Sequence, residues 1–192
     1  MDLNERLDKI EDIIHNPAFR QNRGLGNEVN YRIFDYDPRL EIEVRNHITY
    51  LKNKINRSNV GFHILEFDLW EVMLEILKAE DYYDAFWELE EENDFQYVAE
   101  SLVETLGLDE TDEQNLIVTY IVEHTEPDSI LFLTGIGKCF PIIQSHNILN
   151  NLHQVLDDVP VIMFFPGQYS GQELKLFNTI ESQNYYRAFK LI

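Results

Sequence analysis

Ser129-Ile-Leu-Phe-Leu-Thr-Gly-Ile-Gly-Lys-Cys-Phe140 is the stretch that decides the fold. A short unbroken apolar run, Ile130 to Leu133, followed at once by glycines at 135 and 137, reads as a strand buried on both faces that ends in a tight turn. Glycine suits such a turn because a Cβ would clash there. The pattern recurs along the chain. Tyr31–Asp35, Gly61–Phe67 and Val161–Phe165 have strand composition, and Tyr186–Ile192 makes a last strand. Between them, Leu40, Val44, Ile48, Leu51 and Ile55 recur at helical spacing, as do Leu3, Leu7, Ile10, Ile13 and Ile14 before Asn16-Pro17. Ile148, Leu149, Leu152 and Val155 form the inward face of a helix over residues 145–156, and Asp68 stands as the N-cap of a helix through Leu77. Short buried strands alternating with helices predict an α/β fold. It has three layers, with a mostly parallel sheet of about five strands and helices on both faces.

The 192 residues, 44% hydrophobic, suit a single α/β domain spanning 1–192. Residues 80–128 read as an acidic helical insert within it, broken near Asn93-Asp94 and again at Gly107. The formal net charge is −20, and from Lys78 to Lys138 no Lys or Arg intervenes while 17 Asp and Glu do. Nucleic-acid phosphates demand a basic face, so direct binding of DNA or RNA is disfavoured. There is no apolar run of about 18 residues, and the start Met1-Asp-Leu-Asn-Glu-Arg6 reads as a charged helix rather than a signal segment, so the expectation is a cytoplasmic protein without a membrane span. The lone Cys139 leaves no disulfide framework and fits a reducing compartment.

A strand running into Gly135-Ile-Gly-Lys138 invites a nucleotide-binding reading, but a Walker A loop requires Gly where this chain has Phe132 and Ser or Thr where it has Cys139. The loop still lies at the carboxyl edge of a strand, where α/β folds carry ligands. Downstream, Ser145 reads as a helix N-cap, and His146 is a candidate base without a locally placed carboxylate or a nucleophile elbow. Asn147 shares a helix face with Asn150 and Asn151, and these amides suit a hydrogen-bonded latch between loops. The six His residues show no zinc spacing, so no metal site is expected. Asp35, Asp37, Glu66 and Asp68 fall near strand ends, where turn and capping roles compete with magnesium or acid-base chemistry. Glu88, Glu90, Glu91 and Glu92, interleaved with aromatics such as Tyr83 and Trp87, read as a surface for docking a basic partner.

The ordered run Ile130 to Lys138, Phe140-Pro141, Ser145 to Leu152, Pro160 to Gly167 and Asn184 to Phe189 resembles the BrxB proteins of bacterial BREX (bacteriophage exclusion) defence systems. Ile33 to Pro38 and Glu43-Val-Arg45 are similar to the N-terminal part of that family. The resemblance implies a small cytoplasmic component working beside a PglZ-like protein of the alkaline-phosphatase superfamily, an AAA+ ATPase and a DNA adenine methyltransferase. The residues themselves lead to no expected cofactor. Gly135, Gly137, Ser145, His146, Asn147, Asn150, Asn151, Pro166 and Gly167 match its pattern. Gln144 stands where Arg often precedes the Ser-His pair, which argues against an anion held by this loop.

With no recognisable catalytic set, the sequence favours a non-catalytic adaptor over an enzyme. Two other readings stay open at this point: a nucleotide- or metal-binding enzyme or sensor using Gly135 to Lys138, and an acidic regulator that mimics DNA.

Overall fold

A computed structural model describes residues 1–20, 30–109, 114–181 and 188–192. In chain order the elements are α1 (Leu3–His15), α2 (Pro17–Arg20), β1 (Tyr31–Tyr36), a 3-10 turn (Pro38–Leu40), α3 (Glu41–Asn56), β2 (His63–Asp68) and α4 (Leu69–Ala79). There follow α5 (Tyr83–Glu92), α6 (Phe95–Thr105), α7 (Leu116–Glu123), β3 (Ser129–Thr134), α8 (Ile136–Cys139) and α9 (Ser145–Val155). The chain ends with β4 (Val161–Tyr169), β5 (Leu174–Leu176), β6 (Ile180–Glu181) and β7 (Phe189–Lys190).

Five strands lie in the order β2-β3-β4-β1-β7, and every pairing along that path is parallel. The apolar runs are nearly continuous because the sheet is covered on both sides and alternate residues feed different cores. Leu131, Leu133, Val161, Met163 and Phe165 pack with α4, α6, α7 and α9 on one face. Ile130, Phe132, Ile162 and Phe164 pack with α1 and α3 on the other. The expected three-layer α/β architecture is the one the chain adopts.

The boundaries differ in three places. Gly61 and Phe62 precede β2 rather than opening it. Among the described residues of the expected last strand, Phe189 and Lys190 pair with β1, and Tyr186 and Arg187 lie outside the described residues. Pro166-Gly167 does not end β4. Proline donates no hydrogen bond, but the Pro166 carbonyl accepts the Phe177 N–H at 2.9 Å and the strand runs on to pair antiparallel with β5, which in turn pairs with β6.

The acidic interval folds as α5, α6 and α7. Asp94 caps α6 by accepting the Tyr97 N–H at 3.0 Å, and Asn115 caps α7 by accepting that of Val118 at 3.1 Å. Val98, Ala99 and Leu102 of α6 and Ile117, Val118 and Ile121 of α7 join the same core as α4, so these helices extend one outer layer of the sheet.

Candidate functional site

The parallel register brings the carboxyl ends of β2 and β3 side by side, with Asp68 opposite Thr134. Asp68 ends β2 and caps α4, Oδ1 accepting the Trp70 and Glu71 amides at 3.2 and 3.4 Å. Its Oδ2 receives Lys138 Nζ at 2.5 Å. Gly135 makes that approach possible. It has φ +77°, and a Cβ there would lie 2.3 Å from Asp68 Oδ1.

The neighbouring charges are also paired within the chain. Glu66 receives Lys52 Nζ at 2.5 Å and the Thr134 hydroxyl at 3.2 Å, while Glu41 receives Arg45 at 3.0 Å and the Tyr36 hydroxyl. Burial and the hydrogen bond to Glu41 push the Tyr36 hydroxyl far above its ordinary range, so it stays protonated as a donor. Tyr36, Glu41, Arg45, Glu66, Asp68 and Thr134 line a hollow of about 150 Å³ at the sheet edge. Asp37 caps the 3-10 turn and holds Arg39, whose guanidinium keeps the Asp37 carboxyl down at about 2.

Asp35 departs from the turn and capping role. Its side chain, 9% exposed, receives Arg6 at 2.8 Å from α1, Lys190 at 2.9 Å from β7 and the Tyr169 amide at 3.1 Å from β4. It is a buried ionic tie between elements distant in sequence.

The glycine loop runs directly into α8, one turn of four residues. Gly137 lies within it, where a Cβ would meet the Phe177 ring at 2.9 Å and Pro166 at 3.3 Å. Lys138 is committed to Asp68. Cys139 is fully buried and its thiol is pushed up to about 12, mainly by burial, so it is a packing residue rather than a nucleophile.

Ser145 is not the expected N-cap. The cap is Gln144, with no side-chain hydrogen bond, and Ser145 is already the first helical residue. Ser145 and His146 line a hollow of about 190 Å³ with Phe140, Phe165, Leu176 and Ile180. Asn147 is a latch, its Nδ2 donating to Leu108 O at 3.4 Å and to Asp109 Oδ1 at 3.2 Å across to the end of α6. Asn151 is buried on the same helix and Asn150 is exposed. The family-pattern residues therefore serve several local contacts around α8, β4 and α9 and do not converge on one reacting point.

Burial lowers the basicity of both His47 and His146, against weaker opposing charges from Asp8 and Asp109 respectively. The unfolded chain then binds more protons as pH falls through the ordinary His value of about 6.5, so this contribution to stability is complete above that pH and lost below it. Urea unfolding at pH 7.5 and 5.5 is expected to give a lower midpoint at pH 5.5, with a smaller drop in a His47→Gln, His146→Gln double variant. Equal drops in the two proteins would contradict it.

On the acidic layer, Glu88, Glu90, Glu91 and Glu92 are all exposed along α5. Trp87 is 59% exposed, and Phe95 and Tyr97 at the start of α6 are 61% and 52% exposed. Tyr83 differs from the expected outward role: it is half-buried against the core, with Lys78 Nζ 5.1 Å over its ring. A feature the sequence reading missed is a groove of about 700 Å³ between α6 and residues 141–144. Its signal was present in α6, where Phe95, Ala99 and Val103 repeat every fourth residue beside the core stripe of Val98 and Leu102.

These features define an α/β protein whose sheet edge is held by its own ion pairs and whose helical layer is acidic and aromatic. The chain belongs to the BrxB family: it matches that family, described as BREX protein BrxB, over residues 65–191. It is 48% identical over 190 residues to BREX protein BrxB of Bacillus cereus (strain H3081.97), covering 99% of this chain and 97% of the relative. It is 29% identical over 192 residues to BREX protein BrxB of Escherichia coli O9:H4 (strain HS), covering 99% and 92%. No solved structure matches the chain. Membership places it in a BREX phage-defence system, in agreement with the motif resemblance.

Proposed function

We propose that the chain is a non-catalytic interaction subunit of its BREX system, docking through α5 and α6 on a PglZ-like partner and helping to assemble the ATPase and methyltransferase components. The observation that carries this reading is the pairing of exposed Trp87, Phe95 and Tyr97 with Glu88 and Glu90 to Glu92, in an interval that contains no Lys or Arg. Aromatic side chains anchor interfaces, and a single-signed field of this kind accelerates and orients the approach of a basic surface. A further support is that Asp35, Glu41, Glu66 and Asp68 each have a cationic partner within the chain, which suits a structural role better than acid-base work.

The test is co-purification with the other BREX proteins using Glu90→Lys, Glu91→Lys, Glu92→Lys together. These side chains are exposed, so the fold is expected to survive, and recovery of the partner is expected to fall by about tenfold or more. Undiminished recovery would remove α5 as the docking surface.

A further inference from the structure

The 700 Å³ groove beside α6 combines an apolar floor with an anionic rim. Ala99 and Ile142 are buried at its base, and Val103, Pro141 and the exposed Phe95 complete the apolar lining. Glu100, Glu104 and Asp109 stand exposed on its rim. Glu100 accepts from Gln96 Nε2 at 2.9 Å and Asp109 from Asn147 Nδ2 at 3.2 Å, both neutral donors. Among the described residues that line the groove there is no Lys or Arg. The lining follows one face of α6 from Phe95 to Glu104, about 14 Å at 1.5 Å per residue.

Shape and charge together select the occupant. An open trough of this length, floored at every fourth residue, matches the way a helix lays apolar anchors at i, i+4 and i+7 into a partner's groove. Three carboxylates along the rim, with no Lys or Arg among the described lining residues, repel anions and match Lys or Arg flanking those anchors. We infer that the groove binds a cationic amphipathic helical segment of a protein partner. This rests on the docking reading above and adds where, and to what chemistry, the partner attaches.

The experiment places the photocrosslinking residue p-benzoylphenylalanine at Gln96, on the groove, or at Trp87, on α5, in the full-length chain co-expressed with the other proteins of its BREX system. Crosslinked peptides are then sequenced by mass spectrometry. The expected result is a Gln96-site crosslink to a segment with apolar residues at helical spacing and at least two adjacent Lys or Arg. The yield is expected to fall about tenfold when Glu100→Lys and Glu104→Lys are combined, with the circular dichroism unchanged. A Gln96-site crosslink to an acidic or uncharged segment, or to a second copy of this chain, would overturn the inference. So would an undiminished yield in the double variant. Crosslinks from Trp87 with none from Gln96 would overturn the groove and leave docking through α5 standing, whereas none from either site would remove both.

Discussion

Asp35→Ala is expected to lower the free energy of unfolding by about 3 kcal/mol, measured by urea denaturation near pH 7. The carboxylate is 9% exposed and closes three interactions at once. Arg6, itself only 20% exposed, loses its counter-charge at 2.8 Å and remains stacked over Phe34, 4.6 Å from the ring centre. The hydrogen bond from the Tyr169 amide to the carboxylate is lost as well, worth about 1 kcal/mol. Lys190 is 45% exposed, so water screens its loss and it adds little. Because α1 and β7 both depend on this residue, the destabilisation is expected to appear as global unfolding rather than fraying of one end. A loss below about 1 kcal/mol would mean that water replaces the carboxylate without cost.

Gly167→Ala is expected to cost a similar amount, about 3 kcal/mol, through overpacking. No unusual dihedral is involved. A Cβ at 167 would lie 2.1 Å from the Lys175 carbonyl oxygen and 2.9 Å from the Phe165 ring, and the first is main chain in the paired strand β5. Relief requires β5 to move away from β4, which breaks the register of Gly167 with Leu176 and of Tyr169 with Leu174. Hydrogen exchange is expected to accelerate in residues 174–176 while β3 stays protected. Unchanged exchange in β5 would show that the hairpin accommodates the methyl group.

The central strands were legible because burial on two faces demands near-continuous apolar runs, and Ile130 to Leu133 and Val161 to Phe165 have them. Helices α1, α3 and α9 announced themselves by period, and the division of the acidic interval into helices by its breaks at Asn93-Asp94 and Gly107. The hairpin of β5 and β6 was not legible: Leu174-Lys-Leu176 is three residues long, too short for alternation to signal, and Pro166-Gly167 reads as a stop. Ser145 was misplaced by one position because periodicity fixes a helix end only to within a residue or two.

Among the candidate site residues, the capping role of Asp68 followed from its place before an apolar helical run, and the latch of Asn147 from its helix face. The tie at Asp35 did not, since its partners lie 29 and 155 residues away and only the sheet order brings them together. The groove stayed hidden for the same reason, being formed where α6 meets a loop some forty residues later.

The most direct measurement is affinity purification of the full-length chain from its native host at about 0.05 M and about 0.3 M salt, with bound proteins identified by mass spectrometry. Exposed charges are screened over a shorter distance at the higher concentration, so an acidic docking surface is expected to recover another BREX protein at low salt and less of it at high salt. Recovery of the chain alone at both concentrations would contradict its role as an interaction subunit.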